Sequence, residues 1–303
     1  LRSEMEIGYR RWRSQVSRIK LVAIDIDGTL LDPNGEITPR TKTAMEAVAN
    51  LDIQIIISTG RRFWTAREKV IPLGLQDLIL SCHNGILLKR FNGELLYHCL
   101  LDLEIAKSVV DFAKSRGLYP IVFESVADNC RVLVEPFESM KTDYLHDQET
   151  IAYLEESQTN TCFFDDLSRQ ITGQIIEVVC VIPAKETKET SQVFEQCFGS
   201  TIKTIVATVP NPNRSFFSIA NSQAGKSGPL KFWADQSGID HRSVLAIGDN
   251  YNDLDMLQYA GIGVLMGNAD PELQQIGSKL GFELTARNDQ DGLAKTLEKH
   301  LLS

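Results

Sequence analysis

The sequence lacks the features of membrane-spanning, secreted and disulfide-built proteins. Its apolar runs all fall short of the ~18 residues that a membrane-spanning helix needs. Residues 1–18 hold several arginines but no hydrophobic stretch of the secretory type, so we expect no secretory signal there. The six cysteines are widely spaced, and no two of them form a C-x-x-C pair. This pattern predicts reduced thiols in a cytoplasmic protein rather than disulfides or a zinc site.

An excess of positive charge is also missing. The formal net charge is −9, which argues against nucleic acid or an anionic membrane as the main partner. A phosphorylated substrate is still compatible with this charge, because a metal ion and a few basic side chains make one pocket locally positive. With 303 residues, of which 43% are hydrophobic and 23% charged, we expect one or two globular domains with a real core.

Apolar strands alternate with helical segments at both ends of the chain, a pattern typical of a parallel α/β sheet. Between residues 87 and 218 the pattern changes to hairpins mixed with helices, including a helix predicted near 149–155. This change predicts an inserted α+β module. We therefore expect a parallel-sheet domain built from residues 19–86 and 219–303, an inserted domain over 87–218, and an N-terminal extension over 1–18.

Two aspartates, Asp25 and Asp27, follow the first predicted buried strand, which ends at Ile24. Ligands bind at the carboxyl ends of the strands in such sheets, so both acids are expected at the mouth of a site. Two carboxylates one residue apart repel each other unless a cation or a shared proton relieves them, and Mg²⁺ prefers such oxygen ligands. Taken alone, the motif also fits a pair of solvated loop acids.

A second predicted strand, Val244–Ile247, is also followed by acids. Asp249 comes after its end, and Asp253 lies four residues further on, close to one helical turn. Asp253 is therefore placed to support Asn250 or a metal-bound water. A single motif of this kind would favour solvated surface acids. Two such motifs, both following buried strands, favour an oxygen-rich cluster drawn from two distant strand ends.

Lys226 lies in a segment, 220–227, that lacks only the first glycine of a nucleotide-binding P-loop. Two observations argue against a P-loop. Gly228-Pro229 follows at once, where the helix of a P-loop is expected to continue, and a P-loop leaves the first pair of acids without a role. We therefore favour a single lysine that neutralises a phosphate, with the P-loop and a solvated surface lysine as alternatives.

The end of the strand predicted over residues 53–57 offers candidate phosphate-binding groups. Thr59 supplies a hydroxyl and Gly60 an unencumbered backbone N–H, at the start of a predicted helix, where anions bind well. Arg61 is expected either to bind a phosphate or to lie exposed, and its position favours neither. His83 is either an acid–base group or part of a turn, and we favour the turn.

The full set of motifs resembles that of the haloacid dehalogenase superfamily, and within it the Cof-type phosphatases, which carry a large α/β cap after the third core strand. The motifs span nearly the whole chain in the family's order: Asp25-Ile26-Asp27-Gly28-Thr29, Ser58-Thr59-Gly60-Arg61, Asn84-Gly85, Lys226, Gly248-Asp249-x-x-Asn252-Asp253, Met266-Gly267-Asn268-Ala269 and Asn288-Asp289-x-Asp291-Gly292. The resemblance implies an α/β fold with a Rossmann-like parallel-sheet core and an inserted α+β cap that selects the substrate.

The resemblance also implies a role for each site residue. Asp25 is expected to attack phosphorus and form an aspartyl-phosphate, while Asp27 protonates the leaving oxygen and then activates water. Mg²⁺ is the implied cofactor, held by Asp25, Asp249 and the Asp27 carbonyl. The phosphoryl oxygens would be bound by Ile26, Thr59, Gly60, Lys226 and Asn252. Supporting roles would fall to Arg61, Asn84, Asn250 and Asp253.

The expected activity is that of a cytoplasmic, Mg²⁺-dependent phosphatase acting on a small phosphate monoester, with sugar phosphates as the leading class. The alternatives are a phosphotransferase or phosphomutase on the same scaffold, a P-loop kinase, and a non-catalytic sensor of a phosphorylated ligand. We expect no nucleic-acid or membrane partner, and a monomer or homodimer.

Overall fold

The structure, a computed structural model, describes residues 19–51, 53–125, 131–136, 161–208 and 213–302. The chain divides into two compact units. The described part of the first unit lies within Leu1–Thr59, Trp64–Leu80 and Leu230–Ser303, and that of the second within Gly60–Phe63 and Ser81–Pro229. The predicted N-terminal extension, 1–18, and the helix predicted near 149–155 lie outside the described residues.

The described residues contain fourteen strands, numbered in chain order. They are β1 (Leu21–Ile24), β2 (Gln54–Ser58), β3 (Ile79–Cys82), β4 (Leu87–Arg90), β5 (Leu95–His98), β6 (Ile121–Glu124), β7 (Arg131–Val134), β8 (Thr161–Phe163), β9 (Ile175–Pro183), β10 (Ile202–Thr208), β11 (Arg214–Asn221), β12 (Val244–Gly248), β13 (Ile262–Leu265) and β14 (Glu283–Leu284).

The same part of the chain contains nine α-helices, also numbered in chain order. They are α1 (Pro39–Ala49), α2 (Phe63–Val70), α3 (Leu103–Ser115), α4 (Leu167–Gln170), α5 (Thr187–Phe198), α6 (Ser227–Gln236), α7 (Leu254–Tyr259), α8 (Pro271–Leu280) and α9 (Gly292–Leu297). Each of these helices is too short or too polar to cross a lipid bilayer.

The first unit is built on strands in the order β14-β13-β12-β1-β2, in which all neighbouring strands run parallel, and β3 lies next to β2. Strand β1 is completely buried, because helices cover both faces of such a sheet and leave no polar side. Its last residue, Ile24, pairs with Ile247 of β12 and with Ile57 of β2. The segments that follow these three strands therefore leave the sheet side by side. The predicted α/β fold with a parallel sheet is confirmed.

Helix α1 begins where the sequence predicts. The Thr38 hydroxyl accepts a hydrogen bond from the Thr41 N–H at 3.2 Å, and Pro39 occupies the first helical position. Such a cap contributes about 1 kcal/mol to helix stability. The Thr38 hydroxyl also donates to Asp291 Oδ1 at 2.7 Å, which ties the start of α1 to the turn before α9.

The second unit contains an antiparallel hairpin, β4–β5, at the predicted Phe91-Asn92-Gly93 turn. It also contains a six-stranded sheet in the order β10-β11-β9-β6-β7-β8, in which β7 and β8 alone run parallel. Phe112 of α3 and Phe217 of β11 both pack against Phe194 of α5, with ring centroids 5.0 and 5.4 Å apart. The sequence did not predict β8 or α4, since both are short and lie in a polar segment.

The expectation that Gly228-Pro229 interrupts a helix is wrong. Helix α6 begins at Ser227 and continues through both residues to Gln236. Proline is tolerated there because the first N–H groups of a helix have no acceptor within the helix. One of the two arguments against a P-loop at Lys226 is therefore withdrawn, while the argument from the unused acids stands.

Exposure separates the described cysteines into classes, and none of them forms a disulfide. Cys82 and Cys180 are buried, and burial raises the pKa of each thiol to about 12, whereas Cys197 is exposed.

Because the thiolate is the nucleophile, we expect iodoacetamide to modify Cys197 in the folded protein and to spare Cys82 and Cys180 until the chain unfolds. Peptide mapping by mass spectrometry, with and without denaturant, tests this. Rapid modification of Cys82 or Cys180 in the native protein would contradict the burial.

Candidate active site

Three carboxylates meet at the carboxyl end of the first unit's sheet. The parallel register places Asp25, directly after β1, beside the end of β12, and the Asp25 N–H donates to the Ile247 carbonyl at 3.1 Å. Carboxylate oxygens of Asp25, Asp249 and Asp253 all lie within 4.8 Å of one another. Asp25 is only 5% exposed. Like charges at this spacing are unfavourable unless donors or a cation stabilise them.

Asp253 stabilises the backbone that carries Asp249. Its Oδ2 accepts hydrogen bonds from the N–H groups of Asp249, at 3.0 Å, and Asn250, at 2.9 Å. The side chain is completely buried, and a Cβ added at Gly248 would lie 2.5 Å from its Cγ. Since two donors already occupy Oδ2, we assign Asp253 the positioning of this turn rather than the primary binding of a cation.

The Asp249 carboxylate is held by side chains from two other loops. Thr29 Oγ1 donates to its Oδ1 at 3.3 Å, and Asn268 Nδ2 donates to its Oδ2 at 3.2 Å. Asn268 Nδ2 also donates to the Gly28 carbonyl at 2.9 Å, and Asn268 Oδ1 accepts from the Asn288 N–H at 3.0 Å. Asn268 therefore connects three loops and helps to orient the Asp249 carboxylate.

Thr29 and Asn268 were absent from the predicted site residues. Both lie inside motifs that the sequence displays, Asp-x-Asp-Gly-Thr and Met-Gly-Asn-Ala. The signal that could have found them is their chemistry. A hydroxyl and a carboxamide are the neutral donors that a crowded carboxylate needs.

Asp27 lies on the turn Ile26–Leu30 and is exposed, in contrast to Asp25. The turn is closed by hydrogen bonds from the Leu30 N–H to the Asp25 carbonyl and from the Leu31 N–H to the Ile26 carbonyl. The Ile26 side chain is buried beneath the turn. Asp27 is thus open to solvent, as a group that exchanges protons with water must be.

The oxygen ligands of the acidic cluster suit a hard divalent cation. All three are carboxylates, the strand ends bring them close, and Asp249 is oriented by neutral donors on both of its oxygens. Mg²⁺ prefers such oxygen ligands and keeps part of its water shell. Asp253 Oδ2 accepts hydrogen bonds from two backbone N–H groups, whereas each oxygen of Asp249 accepts one from a neutral side chain.

In the second unit, a strained turn that contains the predicted site residue Asn84 lies next to two others, Gly60 and Lys226. His83, Asn84 and Gly85 have φ values of 51°, 52° and 87°, and for the two residues with side chains this conformation costs of order 1–3 kcal/mol each. A Cβ at Gly60 would lie 3.1 Å from Asn84 Oδ1, so the carboxamide packs against the Gly60 backbone. A Cβ at Gly85 would overlap the Gly225 carbonyl and lie 3.0 Å from the Lys226 nitrogen.

The side chains of the remaining residues predicted to bind or support the phosphate are buried or half-buried. Thr59 is completely buried at the end of β2 in the first unit, and Gly60 follows it directly in the chain. Arg61 is half-buried, and its carbonyl accepts a hydrogen bond from the His83 N–H at 3.0 Å. Lys226 is 1% exposed, so the solvated surface lysine is excluded. Asn252 is half-buried on the short turn Tyr251–Asp253.

Known proteins are similar to this chain over nearly its whole length. A family model for haloacid dehalogenase-like hydrolases matches residues 22–297. The chain is 26% identical over 294 residues to Phosphatase YwpJ of Bacillus subtilis (strain 168), which covers 94% of this chain and 100% of that protein. It is 27% identical over 287 residues to the 5-amino-6-(5-phospho-D-ribitylamino)uracil phosphatase YitU of the same organism, covering 92% and 97%.

Solved structures share the fold. A haloacid dehalogenase-like hydrolase from Bacteroides thetaiotaomicron superimposes with a TM-score of 0.73 at 22% identity, covering 93% of this chain and 99% of that one. The HAD subclass IIB sugar phosphatase BT4131 superimposes with a TM-score of 0.71 at 23% identity, covering 92% and 98%. At these identities the likeness concerns the fold alone.

Gly28 provides a test of the acidic cluster. Its φ is +83°, and a Cβ there would overlap Asp249 Oδ2. We expect Gly28→Ala to displace the Asp249 carboxylate and weaken Mg²⁺ binding by about 10- to 100-fold, measured by isothermal titration calorimetry.

The matched control is Gly74→Ala in the same unit. Gly74 has a φ of +73° with no atom within 4 Å of an added Cβ, so the substitution meets the same backbone strain without the overlap. We expect this variant to lose about 1 kcal/mol of stability and to bind Mg²⁺ as the wild type does. Equal Mg²⁺ affinities in the two variants would contradict the assignment.

Proposed function

Because the chain belongs to the haloacid dehalogenase-like hydrolase family, we propose that it releases phosphate from small phosphate monoesters in a Mg²⁺-dependent reaction. The observation that carries the proposal is the cluster of Asp25, Asp249 and Asp253 at the carboxyl end of the sheet. The resemblance to this superfamily, inferred from the motifs, is confirmed by the family match, and the relatives' names confirm the predicted enzyme class, a phosphatase.

Asp25 would act as the nucleophile. Its carboxylate attacks phosphorus, the bond to the leaving oxygen breaks, and an aspartyl-phosphate forms. Asp25 suits this role because it is buried and its backbone is held by the hydrogen bond to Ile247, which fixes the direction of attack.

Asp27 would move the protons. Its exposed carboxylic acid gives a proton to the leaving oxygen, and the resulting carboxylate then takes one from the water that attacks the aspartyl-phosphate. That second attack releases inorganic phosphate and restores the Asp25 carboxylate. The different environments of Asp25 and Asp27 support this division of roles.

The bound cation would be held by Asp25, Asp249 and the Asp27 carbonyl, and it would supply charge neutralisation so that a carboxylate can approach a phosphate. The phosphoryl oxygens would be held by the Ile26 backbone, Thr59, Gly60, Lys226 and Asn252. Supporting contacts would come from Arg61, Asn84, Asn250 and Asp253. Donors fixed in advance at these oxygens stabilise the charge that develops during transfer.

The substrate class we propose is the phosphorylated sugars and their derivatives. Support comes from the relative YitU, whose name describes a phosphoribitylamino compound as the substrate of that protein. Residues 87–218 would form the cap that selects the substrate, and residues 19–86 and 219–303 the catalytic core. We propose a cytoplasmic location, a monomer or homodimer, and no nucleic-acid or membrane partner.

The decisive experiment is phosphate release from sugar phosphates, nucleotides and p-nitrophenyl phosphate, with and without Mg²⁺. We expect Mg²⁺-dependent release by the wild type and a loss of at least about a thousandfold in Asp25→Asn, because the amide is no nucleophile. Asp235→Asn is the matched control, since Asp235 is an exposed residue of α6, and it should retain full activity.

Other outcomes separate the alternatives. Full activity in Asp25→Asn would overturn the nucleophile and support the P-loop kinase. A product phosphorylated at a new position would mark a phosphomutase. Binding of Mg²⁺ and phosphate without any release would indicate a sensor.

A further inference from the structure

A single charged residue interrupts the most apolar strand of the second unit. Glu177 stands in β9 between Ile175-Ile176 and Val178-Val179-Cys180, and all six residues are buried. A buried carboxylate is costly unless it is fully hydrogen-bonded, whereas a valine would continue the strand without that cost. Glu177 therefore needs an explanation other than the stability of the sheet.

Both oxygens of the Glu177 carboxylate are used. Oε1 lies 2.5 Å from His83 Nδ1, and Oε2 accepts a hydrogen bond from Ser218 Oγ at 2.6 Å. Glu177 therefore joins the His83 imidazole and the Ser218 hydroxyl through two buried hydrogen bonds. Ser218 pairs with Val179, two residues beyond Glu177, so its side chain lies on the same face of the sheet.

The opposite strand completes the setting. Phe123 of β6 pairs directly with Glu177, and its ring meets the edge of the His83 imidazole with centroids 5.7 Å apart. His83 itself is 2% exposed. The imidazole thus contacts a carboxylate on one side and an aromatic ring on another, and both contacts restrict its orientation.

The backbone of His83 is the part that needs this support. His83 and Asn84 occupy a left-handed conformation that residues with side chains rarely adopt, and such backbone persists only where the surroundings determine it. Within the turn, the Gly85 N–H bonds to the Cys82 carbonyl and the Ile86 N–H to the His83 carbonyl. The bond to Glu177, which reaches across 94 residues of sequence, anchors the turn from outside.

The anchored turn lies against both phosphate-binding segments of this unit. On one side Asn84 packs on Gly60, and the His83 N–H bonds to the Arg61 carbonyl. On the other side Gly85 packs against the Gly225 carbonyl and the Lys226 backbone nitrogen, so closely that a side chain at position 85 would not fit. A displacement of the turn therefore moves these two segments as well.

We propose that Glu177 is a positioning residue for phosphate binding, acting through His83 on the turn that places Gly60 and Lys226. The proposal rests on the phosphate-binding roles given to those two residues under the proposed function. Glu177 touches neither the substrate nor the reacting atoms in this scheme. Its effect is to hold the turn in its strained conformation.

The test is Glu177→Gln, which keeps the shape of the side chain and removes its charge. We expect kcat/KM for p-nitrophenyl phosphate to fall by about 10- to 100-fold, because small displacements of positioning groups have effects of that order. We also expect KM, and the inhibition constant of inorganic phosphate, to rise. A merely structural role would lower the fraction of folded enzyme and so reduce the apparent kcat, while KM and the inhibition constant stayed at wild-type values.

Glu135→Gln is the matched control. Glu135 is also a buried glutamate of the second unit, and its Oε1 accepts from Lys114 Nζ at 2.6 Å and from the Leu167 N–H at 2.7 Å. The same loss of charge there should leave KM and phosphate inhibition unchanged. Equal kinetics in Glu177→Gln and Glu135→Gln would overturn the proposal.

A double-mutant cycle tests whether Glu177 acts through His83. Asn tolerates the left-handed conformation, so His83→Asn removes the imidazole with little effect on the backbone. We expect the double variant to be no worse in kcat/KM than the worse single variant, and additive losses would overturn the route through His83. If Glu177→Gln does not fold, Ser218→Ala is the deciding variant. We expect inorganic phosphate to inhibit this variant severalfold more weakly, and an unchanged inhibition constant would contradict the proposal.

Failure of the proposed function gives a different result. A wild-type protein that neither releases phosphate with Mg²⁺ nor binds inorganic phosphate by calorimetry would overturn that function. An active wild type whose Glu177 variants retain its KM and phosphate inhibition would overturn only the role of Glu177.

Discussion

Repulsion among clustered carboxylates is the constraint on which the site of the first unit depends. Three acids share a space less than 5 Å across, and the groups around them are donors or tight turns. Thr29 and Asn268 donate to Asp249, and two backbone N–H groups donate to Asp253. The two side-chain donors, Thr29 and Asn268, come from two other loops, so the loops at this edge of the sheet hold one another in place. In the proposed function, a cation would complete an arrangement that neutral donors only begin.

The second unit meets a different constraint, that of a backbone held in an unfavourable conformation. A strained turn keeps its shape only when its surroundings cost more to rearrange than the turn does. Packing against Phe123 and the bond to Glu177 provide such surroundings, because both belong to neighbouring strands of a sheet whose register is fixed. Rigid strands on one side thus give precision to a loop on the other.

The extent of sequence-based prediction follows from the range of the interactions. Strand-end acids such as Asp25 and Asp249 can be predicted because buried strands and acidic loops are local patterns. The bond from Asn268 to Gly28 spans 240 residues and that from Thr29 to Asp249 spans 220, so both depend on a strand order that no local pattern specifies. The charge at position 177 is visible in the sequence, but its partner is not.

The strand order also governs when the acidic cluster can exist. Leu21 of β1 pairs with Val244 of β12, more than two hundred residues later. At ribosomal rates of about 5–20 residues per second, roughly 10 to 45 s separate the synthesis of the two strands. Throughout that interval β1, a wholly apolar strand, has one edge without its native neighbour. The clustered carboxylates of Asp25 and Asp249 therefore come together only after the whole second unit has been made.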